Sequence, residues 1–147
     1  GNGNFTVTVN LPDENSIDKT LRIINMNGQV VKQLNIVNQN KLDVLWEKLN
    51  NNQILTLPSQ RELTDKFVKF SSDTTEAFDS EDHVRRIAIS DGVQYIFELS
   101  TQIKKRSYSY HCPKSYLTHF SNIEELYRAF VLIILIRKYL GLNLSVC

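Results

Sequence analysis

The sequence predicts an α+β domain: a largely antiparallel β-sheet of hairpins, helices packed on one face, and a long C-terminal helix. Three observations predict it. Asn27-Gly28 and Asp91-Gly92 each lie between alternating runs. That is the strongest short-range hairpin signal, because a type I′ turn needs positive φ at both central residues. Phe5, Val7, Val9 and Leu11 alternate with Thr6, Thr8 and Asn10, the period of a half-buried strand. Residues 121–141 form an apolar helical run with stop and start signals at its ends.

The chain opens on Gly1-Asn2-Gly3-Asn4, which carries no apolar leader core. A processed start is expected, as in an exported protein after cleavage or a domain excised from a longer one. Residues 1–4 read as a flexible lead. After the first strand, Pro12 to Asn15 predicts a turn. Leu21 to Met26 and Gln29 to Val37 then flank Asn27-Gly28, pairing Leu21 with Leu34 and Ile24 with Val31, and setting Ile23 opposite Lys32. Leu42, Leu45, Trp46 and Leu49 follow at helical spacing, with Trp46 as a core anchor. Ile54 to Leu57 predicts a brief strand. Ser59 with Glu62 predicts a capping box that opens a short helix to Lys66. From Ser71 to Asp82 the chain is polar and acidic, the mark of an exposed loop.

The second hairpin is predicted over Val84 to Ser90 and Val93 to Thr101. A two-residue loop pairs Ile87 with Ile96 and Arg85 with Glu98 on one face. On the other, Arg86 meets Phe97 and Val84 meets Leu99. Ile103 to Cys112 is a third strand. Lys104, Arg106, Tyr108, Tyr110 and Cys112 share one face; Ile103, Lys105, Ser107, Ser109 and His111 share the other. Pro113, with no amide hydrogen, ends it. Ser121 with Glu124 predicts a capping box, and Gly141 after Arg137 and Lys138 predicts the helix stop. Ala129 to Ile136 is unbroken apolar sequence, far short of the roughly 20 residues a bilayer requires, so no membrane span is expected. At 100° per residue the meridian of Glu124, Glu125 and Arg128 continues into Val131, Leu132 and Leu135. A helix apolar all round is covered on its second face by the domain or by a partner. Residues 142–147 form a tail.

At 147 residues a single domain, 1–147, is expected. With 17 basic and 16 acidic residues the net charge is +1, so no bulk field favours nucleic acid. Nucleic-acid binding is therefore not expected unless a local patch supplies it. One such patch is visible. Lys104, Arg106, Tyr108, Tyr110 and His111, with Lys105 and Lys114, interleave basic and aromatic groups that grip phosphates and stack on bases or sugars. The competing reading packs both tyrosines beneath the final helix and leaves lysines to guard a sheet edge.

Catalytic and metal signatures are sparse. His111 and Cys112 are sequence neighbours and so point to opposite faces of a strand, which opposes a nucleophile pair. Asp79, Glu81, Asp82 and His83 lack metal-ligand spacing and read as a solvated loop. Phosphate-loop and Gly-x-Ser-x-Gly patterns are absent. No cofactor and no metal is expected. Cys112 and Cys147 either pair or remain free; the sequence leaves both open.

Leu45-Trp46, Leu57-Pro58-Ser59-Gln60, Asp91-Gly92 with Tyr95, Tyr108-Ser109-Tyr110 before Pro113, and Asn122-Ile123-Glu124-Glu125-Leu126 together resemble small uncharacterised bacterial proteins of secreted or lipoprotein type. The resemblance covers about the last two-thirds of the chain and implies no activity. The expectation is a non-enzymatic binding or assembly domain exported to the periplasm, cell surface or medium. A protein partner or a second copy would dock on Val131, Leu132, Leu135 and Tyr139. Two alternatives stand beside it: a polyanion, carbohydrate or nucleic-acid binder using residues 104–114, and an enzyme with dispersed catalytic residues around His111 or His119.

Overall fold

A computed structural model describes residues 3–11, 19–70, 84–86, 88–89 and 91–147. The predicted turn at Pro12 to Asn15, the acidic loop at Ser71 to Asp82, and Asp79, Glu81, Asp82 and His83 all lie outside those residues. Strand β1 (Gly3–Leu11) is central, so Gly3 and Asn4 belong to the sheet and not to a free lead. β2 (Thr20–Ile24) and β3 (Val30–Leu34) extend one side, while β6 (Val93–Thr101) and β7 (Lys105–His111) extend the other, in the order β3-β2-β1-β6-β7. β4 (Val68–Phe70) and β5 (Val84–Arg86) form a separate antiparallel ribbon. The fold is α+β. Its pairs are mostly antiparallel, but β1 runs parallel to β6, from Gly3 opposite Val93 to Leu11 opposite Thr101.

That parallel pair corrects the second predicted hairpin. β6 has β1 on one side and β7 on the other, and residues 84–86 pair with β4 instead. The first hairpin forms, with Leu21 opposite Leu34 and Ile23 opposite Lys32 as expected. Its loop has three residues, not two. The Asn25 amide donates to the Gln29 carbonyl, Gly28 alone takes positive φ (78°), and the register slips so that Ile24 meets Val30 rather than Val31.

Side-chain alternation puts one face of the five-stranded sheet in the core. Val7, Val9, Leu21, Ile23, Leu34, Val93, Tyr95, Phe97, Leu99, Tyr108 and Tyr110 are buried. Helix α1 (Gln39–Asn51) adds Leu42, Leu45 and Leu49, with Trp46 half-buried against them. Ile54 and Leu57 are buried on successive turns, not on the predicted strand. Ser59 precedes a 3-10 helix, Gln60–Lys66, but its hydroxyl caps no helix amide; it accepts from the Ser109 amide on the open edge of β7.

Pro113 both ends β7 and starts helix α2 (Pro113–His119), where its fixed φ suits the first helical position. Helix α3 (Glu124–Leu140) buries Leu126, Ala129, Leu132, Ile133, Ile136 and Leu140. Ile123, with no side-chain cap, precedes it, so the expected Ser121–Glu124 box is not made. Gly141 closes it at φ 66°, and the Leu142 amide returns to the Arg137 carbonyl. No helix among the described residues is long and apolar enough to cross a membrane. The tail is packed: Leu144 and Val146 are buried, the Lys114 amide donates to the Val146 carbonyl, and Cys147 is disulfide-bonded to Cys112.

Candidate functional site

β7 carries the first candidate, and its alternation decides what that strand offers. Tyr108 and Tyr110 point inward at 3% and 0% exposure, so neither ring is open for stacking on a ligand. Tyr108 stacks on Phe97, and its hydroxyl donates to the Ile54 carbonyl. Burial, the largest cause, pushes the Tyr95, Tyr108 and Tyr110 hydroxyls well above the ordinary phenol range; Glu125 and Glu62 add to this for Tyr110. Arg106 lies over the Tyr108 ring and donates to the carbonyls of Leu55 and Leu57. Its guanidinium is thereby committed to holding the Ile54–Leu57 turns on the sheet. Lys104 is exposed, at the turn between β6 and β7. The predicted grip of Lys104, Arg106, Tyr108 and Tyr110 is thus taken apart, with aromatics in the core and the arginine on backbone oxygens.

His111 is placed differently. It stands on the outer face opposite Gln94 in register, and its amide donates to Gln60 Oε1 at 2.7 Å. Its Nε2 lies 2.8 Å from the Asp91 backbone carbonyl. A carbonyl only accepts, so Nε2 carries the proton and Nδ1 is left over. The imidazole meets a backbone oxygen rather than a carboxylate, and Cys112 beside it is sealed in the disulfide. A cleft of about 380 Å³ opens here, bounded by Gln60, Arg61, Thr64, Phe67, Gln94, Ser109, His111 and Tyr116. Tyr116 is fixed at its edge, accepting from the Ile89 amide at 2.9 Å. His119, the other candidate histidine, is exposed beside Phe120. Among the described residues no cluster of three or more His, Cys, Asp or Glu side chains could hold a metal ion.

Helix α3 carries the second candidate. Leu132 is fully buried, so it belongs to the core and not to a docking surface. Val131, Leu135 and Tyr139 are half-buried; Ile134 is also half-buried, and Tyr127 is 54% exposed. At 100° per residue, Tyr127, Val131, Ile134 and Leu135 fall on one outer stripe, opposite the buried row. Glu124 and Lys138 close the stripe at its two ends. Glu124 pairs with Arg128 at 2.8 Å and is largely exposed. Below it, Glu125 bonds to Lys66 at 2.7 Å, and that hydrogen bond holds its carboxyl below the ordinary value.

Sequence reading missed Gln60, Arg61, Thr64 and Gln94 because no local signal joins residues that only the β6–β7 register and the 3-10 helix bring together. Tyr127 and Ile134 were within reach of the same helical wheel that pointed to Val131 and Leu135. The chain is an α+β protein with a mixed five-stranded sheet. No known protein family, curated protein or solved structure matches it.

Proposed function

We propose that this chain is a non-enzymatic binding or assembly domain of an exported bacterial protein, and that α3 pairs with α3 of a second copy. The outer stripe of Tyr127, Val131, Ile134 and Leu135 carries this reading. An antiparallel, two-fold pairing centred on Val131 sets Glu124 of each copy against Lys138 of the other, since each lies seven residues from Val131. Lys138 is exposed and has no ion-pair partner among the described residues. The Cys112–Cys147 bond supports the exported setting, because cytosolic thiol systems keep such pairs reduced.

Sedimentation velocity over a concentration series tests the pairing. The wild-type chain is expected to dimerise, and Tyr127→Asp with Val131→Asp to stay monomeric while losing only about 1 kcal/mol of stability. A wild-type chain still monomeric at about 1 mM, hence associating by less than about 4 kcal/mol, contradicts it.

A further inference from the structure

The cleft beside His111 is unrelated to the α3 stripe and carries an inference of its own. Arg61 is exposed at its rim, and its guanidinium has no ion pair among the described residues. The other arginines whose contacts are seen are engaged: Arg106 with backbone carbonyls, Arg128 with Glu124, Arg22 with Gln33 and Arg137 with the Leu144 carbonyl. No carboxylate is among the described residues lining the cleft, and Arg61 is the lone formal charge among them. A guanidinium offers a planar fork of donors that matches a carboxylate.

The remaining lining suits hydroxyl groups. Gln94 and His111 are register partners, so their side chains stand on the same face roughly 5 Å apart. Gln60 spends its oxygen on the His111 amide and keeps its amide donors. Thr64 donates to the Arg61 carbonyl and keeps acceptor capacity. Side-chain amides both donate and accept, the pairing that vicinal hydroxyls require. Phe67 supplies an apolar floor. A volume of about 380 Å³ is within the range of roughly 300–1,000 Å³ usual for small-molecule sites.

We infer that this cleft binds a small polyhydroxylated carboxylate of the sugar-acid type, with the carboxylate on Arg61 and hydroxyls on Gln60, Gln94 and His111. Titration of the isotope-labelled full chain with glucuronate, glucose and acetate, followed by amide chemical shifts, tests it. Glucuronate is expected to give saturable shifts at residues 60–64, 94 and 109–111, with affinity on the order of 1 mM and about tenfold tighter than glucose or acetate. Arg61→Gln, at an exposed position, is expected to keep the fold and erase the advantage of glucuronate over glucose. Shifts that do not saturate, that lie elsewhere, or that are matched by glucose or by acetate overturn the proposal, as does an Arg61→Gln variant that still prefers glucuronate.

Discussion

Asn27-Gly28 and Asp91-Gly92 are the same local signal with opposite outcomes. At the first, the chain reverses and β2 pairs with β3. At the second, Gly92 takes φ 118° and its carbonyl accepts from the Gly3 amide, starting β6 alongside β1 instead of folding it back on residues 84–86, which pair with β4. The difference lies in what else competes for the flanking strand. The predicted hairpin would set Arg86 opposite Phe97, in a row that is fully buried. Strand β1 sets Val7 there and Val9 against Leu99. Burying an unpaired guanidinium costs several kcal/mol, so the apolar partner wins over the nearer one. A turn signal specifies a hairpin only when neither arm has a better neighbour.

The inner row that replaced the hairpin gives the largest expected effect. Tyr95, Tyr108 and Tyr110 have folded pKa values raised above the unfolded ones by burial. Their contribution is fully present below the unfolded phenol pKa and is lost as pH climbs above it toward the folded values. Above about pH 10, stability should fall by up to about 1.4 kcal/mol per pH unit for each tyrosine, roughly 4 for the three together. Denaturant unfolding in alkaline buffers measures the slope. Phenolate absorbance that shows all six tyrosines ionising near their free value in the native state would contradict it.

Next in size is the disulfide beneath Gly92. It closes a loop of 35-residue separation, and breaking it with a dithiol or by replacing both cysteines with alanine should cost about 4 kcal/mol. Equal thermal midpoints with and without reductant would remove that contribution. The two glycines then separate cleanly. A Cβ at Gly92 collides with the sulfurs of Cys112 and Cys147 besides straining φ, so Gly92→Ala should cost about 3 kcal/mol or more. Gly28 has open space around it and only its φ at stake, so Gly28→Ala should cost about 1 kcal/mol. If the two variants melt together, the contrast between the turns is wrong.

What was legible followed local chemistry. The period-two pattern of β1, the Leu42-Leu45-Leu49 row, the split of Tyr108 and Tyr110 from Ser109 and His111 onto opposite faces, and the Gly141 stop are each written within a dozen residues, whereas which face of that strand turns inward is not. The parallel β1–β6 pair was not, because it joins segments about ninety residues apart and no local residue announces it. The Ser59 capping box failed for a similar reason: its hydroxyl accepts from the Ser109 amide on the β7 edge instead of from its own helix. The cleft inherits both problems, since Gln94 and His111 meet only through the β6–β7 register and Arg61 arrives from a third segment.

The β1–β6 pairing is the point on which the sheet order, the buried tyrosine row and the cleft all depend. Backbone nuclear Overhauser contacts across β6 test it most directly. Contacts linking the Val7 region with the Phe97 region in a parallel pattern are expected, and none between residues 85–86 and 96–98. An antiparallel set joining residues 85–86 to 96–98 would contradict that pairing.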